Sequence, residues 1–210
     1  MLKLLKQKAL RDIKDNKKLY APLVLALVLG IFSGGIAANL SPQTNAGLFA
    51  DMTIFFSAYS LTGADALAVF TLAAFSNIRV IFLIFICGFF VFTAPLAFVW
   101  VASLGFKIGF STVFFVGSYG VGGVLLAVLM VWLPNLIFLP IVLNFAMLTI
   151  RSAGHIHKLK SGIRTKSGVY KLYIKNFQEF LFFAALGILC GGVEAFLLPV
   201  ILRPVSVFFM

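Results

Sequence analysis

The sequence predicts an all-α membrane protein that crosses a lipid bilayer about five times and forms one membrane domain over residues 1–210. Its composition predicts this class, because 62% of its 210 residues are hydrophobic and only 11% are charged. Soluble domains carry roughly 45–50% apolar and about 25% charged residues. Several uncharged runs also reach the roughly 20 residues that an apolar helix needs to cross hydrocarbon. Lipid is therefore the expected solvent of these helices.

The net charge of +11 is concentrated at two places. Seven Lys and Arg residues fall within residues 1–18 and seven more within 151–175, and each cluster adjoins a long apolar run. Basic residues beside spans are retained on the cytoplasmic side, where anionic lipids attract them. The charge therefore predicts topology rather than nucleic-acid binding. With five crossings, the N-terminus is expected in the cytoplasm and the C-terminus outside the cell membrane.

Residues 20–38 form the first predicted span. The basic cytoplasmic segment 1–18 before it has two interpretations that the pattern does not separate: a short helix in the inner interface, or a disordered tail. A cleavable signal peptide is disfavoured, because the basic segment is long and the remaining chain is also strongly apolar.

Residues 39–78 contain no Lys or Arg, which predicts that they lie outside. Apolar side chains recur there at helical spacing and predict an amphipathic helix resting on the outer leaflet. These side chains are Leu48, Phe49, Met52, Phe55, Phe56 and Tyr59. The apolar stretch 65–75 either docks on the bundle or extends the next span.

Residues 80–106 are uncharged and bounded by Arg79 and Lys107. They are predicted to form one long span that is kinked at Pro95. Arg79 is expected at the outer boundary of this span and Lys107 at the inner one.

Residues 108–150 carry no charge and would be about 64 Å long as one helix, so two spans are expected. The glycine-rich stretch 117–123 and the proline-containing stretch 133–140 are alternative points of division. Neither leaves two full-length helices, so a re-entrant half-helix hairpin is a further alternative. Such backbone is tolerated only where protein or water surrounds it.

A basic cytoplasmic loop over 151–178 and a final span over 180–202 complete the predicted topology. Three glycine pairs at four-residue spacing indicate close approach between helices. They are Gly30 with Gly34, Gly105 with Gly109, and Gly187 with Gly191.

Enzyme signatures are lacking, so no catalytic, cofactor-binding or metal-binding residue is predicted. His155 and His157 stand among basic residues with no nearby carboxylate to complete a metal site. No histidine lies in a span to activate a serine, and no glycine-rich phosphate loop is present.

Polar residues inside the spans are the stronger functional signal, because ionisable groups in hydrocarbon are costly. Glu194 lies in the last predicted span with no basic residue within one turn, and Asn135 and Asn144 share an earlier span. These three residues form a candidate intramembrane polar node. Three interpretations stay open for Glu194: a packing node, a glutamate that reaches water at the interface, or an ion-coupling site.

Three stretches of the sequence resemble motifs of a known family. They are 75–78 with Asn77, 133–140 with Pro134 and Pro140, and 194–199 with Glu194 and Pro199. On these residues the chain resembles the stage II sporulation protein M family of small polytopic membrane proteins. Many family members carry His and Glu in the second stretch, where this chain has Asn135 and Phe138.

The resemblance implies a non-enzymatic membrane scaffold of the engulfment machinery in endospore formation. Its implied partners are a lytic transglycosylase and an amidase that remodel peptidoglycan at the septum. The lipid bilayer is also an expected partner, no nucleic acid and no cofactor is expected, and the oligomeric state stays open. The residues themselves also support an alternative, a small transporter or channel subunit that uses Glu194 and the glycine- and proline-broken spans.

Overall fold

The computed structural model describes the backbone of residues 17–40, 47–48, 66–89, 91–161 and 166–206. This part of the chain is helical apart from short turns and contains no strand, which confirms the predicted fold class. Residues 1–16 lie outside the described part, so both interpretations of the basic N-terminal segment stay untested.

Five long helices form the bundle in the described part of the chain. They are α1 (Lys17–Leu40), α2 (Ala66–Cys87), α3 (Leu96–Leu126), α4 (Leu133–Ser161) and α5 (Lys166–Ser206). A short 3-10 helix, Val91–Thr93, precedes α3, and a π-helical segment, Ala127–Trp132, joins α3 to α4. Among the described residues, four apolar stretches are long enough to cross a membrane: Leu19–Leu40, Leu67–Cys87, Leu96–Ile156 and Tyr170–Phe196.

The third of these stretches folds back on itself at Gly120. Gly120 has φ 57° and ψ −129°, a conformation that favours glycine. The indole N–H of Trp132 donates to the hydroxyl of Thr112 at 3.1 Å, although twenty residues of straight helix would separate them by about 30 Å. The chain therefore divides within the predicted stretch 117–123, and the stretch supplies two crossings, which makes five within the described residues.

The predicted span 80–106 is wrong, because the chain breaks after Cys87. The hydroxyl of Thr93 donates to the last carbonyl of α2, that of Cys87, at 3.0 Å. Pro95 then occupies the N-cap of α3. Backbone N–H groups at the start of a helix have no partner within the helix, so proline breaks no helical hydrogen bond there. This turn consists of apolar residues, glycine, threonine and proline, so the charge pattern carried no signal for it.

The break shifts the boundaries on both sides. Residues 66–78, predicted as part of the outer segment, form the first half of α2, so the described part of the apolar stretch, residues 66–75, extends the span. Lys107 lies inside α3 rather than at its end. The turn at Gly120 divides the stretch into two arms, residues 96–119 and 121–161. The first is about 36 Å long and the second is longer, so each is long enough to cross the membrane. The described structure therefore has two full-length arms in place of a re-entrant half-helix.

The predicted loop 151–178 is also largely helical. Helix α4 continues to Ser161 and α5 begins at Lys166, so only four positions separate them. Most of the basic residues of this region therefore belong to the ends of two helices. Since α3 reverses at Gly120, this α4–α5 junction lies at the same end of the bundle as the turn between α2 and α3.

Helices α1 and α3 run parallel and approach until their backbones touch. A Cβ atom added to any of the four predicted glycines would overlap a backbone carbonyl of the partner helix. The contacts are Gly30 with Ala102, Gly34 with Phe106, Gly105 with Leu27, and Gly109 with Ile31. The predicted close approach at both glycine pairs is confirmed, and α1 and α3 form the first helix pair.

Helices α2 and α5 form the second pair, which is antiparallel. A Cβ on Gly191 would lie 2.8 Å from the backbone nitrogen of Ala74, so the third glycine pair also mediates close packing. Towards the other end, the rings of Phe85 and Phe180 stack with their centroids 4.6 Å apart. Helix α4 packs against both pairs and completes the bundle.

Large apolar side chains point outward along the helices. Phe32, Phe75 and Leu136 are 67%, 68% and 69% exposed. Apolar surface covering whole helices fits lipid as the surrounding medium. The chain is therefore a multi-pass membrane protein.

Gly109→Ala is expected to lower the stability of the bundle, because its new methyl group meets the Ile31 carbonyl. Overpacking of this kind lowers the free energy of unfolding by about 1–3 kcal/mol. Gly117→Ala is the matched control, since a Cβ there meets nothing within 4 Å. Thermal unfolding in detergent should give a clearly lower midpoint for Gly109→Ala only. Equal midpoints for the two variants would contradict the backbone contact.

Candidate functional site: a polar cavity between the helix pairs

A cavity of about 220 Å³ lies where the two helix pairs and the arm 121–161 meet. Its polar lining comes from four segments. These residues are Ser76 and Asn77 of α2, Lys107 and Ser111 of α3, Asn135 of α4, and Cys190 and Glu194 of α5. The rest of the wall is mostly apolar.

Helical periodicity brings the polar side chains to one place. Lys107 and Ser111 are one turn apart on α3, and Cys190 and Glu194 are one turn apart on α5, so each pair shares a helix face. Helices α3 and α5 have little direct contact with each other. They therefore face each other across the cavity.

The π-helical segment shapes the wall supplied by residues 130–138. Pro134 has no N–H for the ordinary i−4 hydrogen bond, and the preceding turn is widened, with the Leu133 N–H bonding the carbonyl of Val128. The side-chain amide of Asn135 donates to the carbonyl of Val131 at 2.7 Å. Widened turns of this type occur frequently at functional sites.

Asn77 joins the two helices of the second pair beside the cavity. Its side-chain N–H donates to the carbonyl of Gly187 at 3.2 Å. This is a hydrogen bond across two helices rather than within one. It fixes the side chain of Asn77 at the cavity wall.

Glu194 and Lys107 supply one charge of each sign to the same cavity. Glu194 is half-buried and Lys107 is exposed. No ion pair within 4 Å joins them among the contacts of the described residues, where Lys175 and Glu179 form a pair at 3.7 Å on α5. A single charge in a span is costly, and a polar cavity shared by both charges reduces that cost.

The structure brings together two of the three residues predicted as a polar node. Glu194 and Asn135 line the cavity, but Asn144 does not. The side-chain amide of Asn144 instead donates to the carbonyl of Pro140 in its own helix at 2.9 Å. Asn144 therefore stands apart from the other two.

The family-motif residues also divide into two groups. Asn77, Pro134 and Glu194 line the cavity, so all three motif stretches reach it. Pro140 lies in α4 outside the cavity lining. Pro199 lies in α5 among residues whose side chains are outside the described part.

Sequence reasoning missed Lys107 as a member of the site. It was interpreted as the inner boundary of a span, because the turn before α3 has no charged residue. A signal was available, since Lys107 is the only charged residue between Arg79 and Arg151. An isolated charge in such a long apolar run predicts a functional intramembrane position.

The chemistry available in this cavity is that of polar binding. Among the described residues, no group of three His, Cys, Asp or Glu side chains is placed to hold a metal ion. The cavity offers a carboxylate, an ammonium group, two carboxamides and two hydroxyls. Such groups bind water or a polar ligand.

Comparison with known proteins identifies the family. The sequence model of the family described as stage II sporulation protein M matches residues 23–199. The chain therefore belongs to the stage II sporulation protein M family, as its motifs predicted. No curated protein and no solved structure matches the chain.

Proposed function

We propose that this member of the stage II sporulation protein M family is a non-enzymatic membrane scaffold of the engulfment machinery in endospore formation. In this role it holds a lytic transglycosylase and an amidase, two enzymes that remodel peptidoglycan, at the septum. The observation that carries the proposal is the family match over residues 23–199. The bundle fits such a role because its helices account for most of the chain.

The proposed orientation follows from the two basic clusters. The start of α1 and the α4–α5 junction lie at one end of the bundle, and seven Lys and Arg residues adjoin each. Positively charged ends of this kind are kept in the cytoplasm. The segment between α1 and α2 and the turn at Gly120 then face the cell wall.

The segment between α1 and α2 is the proposed docking surface for the two enzymes. Its apolar stripe begins at Leu48, which packs against a buried cluster that includes Ile108, Phe115 and Val131. Residues 49–65, which carry the rest of the stripe, lie outside the described part of the chain. At the wall-facing end, this surface would meet enzymes whose substrate is outside the membrane.

A second candidate function is a small transporter or channel subunit that uses Glu194. The specific observation in its favour is the polar cavity, with Glu194 and Lys107 in its lining. Transport sites are commonly built near the middle of the membrane from broken helices. The turn at Gly120 and the π-helical segment are breaks of that kind.

Cysteines introduced at the two ends of the chain are expected to lie on opposite sides of the membrane. In intact cells, a reagent that cannot cross the membrane should label a cysteine introduced after the C-terminal residue, and should spare one introduced at Lys3. A cysteine at Lys158, in the second basic cluster, should also be spared. Labelling of Lys3→Cys and the C-terminal cysteine to the same extent would refute the orientation.

Affinity capture of the protein from sporulating cells is expected to recover both peptidoglycan-remodelling enzymes. Replacing Phe55 and Phe56 of the apolar stripe by serine should reduce their recovery at least several-fold, because apolar anchors dominate binding surfaces. Replacing Gln43 and Thr44 by alanine is the control in the same segment. Capture of neither enzyme by the natural chain would argue against the scaffold.

Transport is tested by proton flux into liposomes that contain the purified protein. If the second candidate function is correct, Glu194→Gln should abolish a flux that the natural chain supports. Glu179→Gln is the matched control, since it makes the same change on the same helix outside the cavity. Flux that is absent, or equal in both variants, would remove this candidate.

A further inference from the structure

Six polar groups on residues that line the cavity have no partner among the described residues. Within the described residues, neither Lys107 nor Glu194 makes an ion pair or hydrogen bond, and the same holds for the hydroxyls of Ser76 and Ser111. The side-chain oxygens of Asn77 and Asn135 are the remaining two. Polar groups left unpaired in a membrane span are expensive, so water or a ligand must satisfy them.

The orientation of both carboxamides is fixed by the bonds they already make. Each donates its N–H to a backbone carbonyl, Asn77 to Gly187 at 3.2 Å and Asn135 to Val131 at 2.7 Å. A flipped amide would place oxygen against oxygen, so the side-chain oxygens are the atoms left for a ligand. With the Glu194 carboxylate they give three acceptor groups, and an ammonium group has three N–H donors and no acceptor.

Helix α3 supplies the complementary donor side. Lys107 and Ser111 are one turn apart, so an ammonium group and a hydroxyl are available from one helix face. A carboxylate or another anionic group accepts hydrogen bonds from donors of this kind. The acceptor side and the donor side lie on helices that face each other across the cavity.

Charge and size narrow the ligand class. A simple cation would leave Lys107 unpaired, and a simple anion would leave Glu194 unpaired, whereas a zwitterion pairs both charges and keeps the cavity neutral. The volume of about 220 Å³ is below the usual pocket range of about 300–1,000 Å³ for drug-sized ligands. The occupant must therefore be small.

We infer that the cavity binds a small zwitterion, with its ammonium group at Glu194, Asn77 and Asn135 and its anionic group at Lys107 and Ser111. A small α-amino acid has this chemistry, and so does the ammonium- and phosphate-bearing headgroup of phosphatidylethanolamine. The inference goes beyond the scaffold function, and it does not require that the protein transports its ligand across the membrane. Binding therefore stands or falls separately from enzyme recruitment and from transport.

Equilibrium binding to the full chain in nanodiscs of phosphatidylglycerol tests the inference, because this lipid has no zwitterionic headgroup. Radiolabelled glycine and alanine are the probes. We expect saturable binding of at least one of them, displaced by the unlabelled amino acid. Acetate and methylammonium, which each carry one of the two charges, should displace the probe at least tenfold less effectively.

Substitutions on the two sides of the cavity should each weaken binding at least tenfold. Lys107→Met and Glu194→Gln remove one charge each, while Lys107→Arg keeps the charge and should retain binding. Arg79→Gln and Glu179→Gln are the controls, because each removes a charge outside the cavity lining. Thermal unfolding of every variant establishes that a loss of binding is not a loss of the fold.

Nanodiscs that also contain phosphatidylethanolamine distinguish the two sources of ligand. Competition with the amino-acid probe would assign the site to the lipid headgroup, and unchanged binding would assign it to the free amino acid. Folded natural protein with no saturable binding would overturn the inference. Equal binding by Lys107→Met, Glu194→Gln and the controls would also overturn it.

Discussion

Close backbone contact between α1 and α3 is the interaction on which the rest of the bundle depends. Lipid is as apolar as a leucine side chain, so helices in a bilayer associate through packing rather than through exclusion of water. Gly30, Gly34, Gly105 and Gly109 carry no side chain into this contact, so the backbones of the two helices touch at these positions. On α5, Gly191 lies against the α2 backbone at Ala74, and Gly187 lies against the side chain of Ile81. Two firmly packed pairs result, and α3 and α5 are left facing each other across a gap rather than packed together.

The polar cavity follows from that arrangement and from the irregular backbone between α3 and α4. Gly120 reverses the chain, and the π-helical segment before Pro134 widens the arm that returns. Sharp breaks in a helix usually arise at proline, at glycine or where the helical hydrogen bonding is altered. In a membrane span, the backbone groups freed by such a break must be surrounded by protein or water. The widened arm directs Asn135 to the place that Asn77, Lys107 and Glu194 reach from three other helices.

A scaffold and a ligand-binding membrane protein are compatible in one chain. The proposed docking surface lies between α1 and α2, whereas the cavity lies between the helix pairs and is lined by residues of all three family-motif stretches. Unpaired polar groups reduce the stability of a membrane bundle, and positions that keep them usually serve a function. A bound zwitterion would contact both helix pairs, through Lys107 of α3 and Glu194 of α5.

The sequence by itself determined the all-helical membrane class, the glycine contacts and the candidacy of Glu194 and Asn135, because these follow from composition, spacing and the cost of charge in hydrocarbon. It misplaced the break after Cys87, since that turn contains no charged residue and charge was the signal used to divide the spans. Moving this one boundary by about twenty residues placed Lys107 inside α3. Only the tertiary structure decided that Lys107, Asn77 and Glu194 share a cavity while Asn144 does not, because the packing of separate helices depends on contacts between residues far apart in the chain.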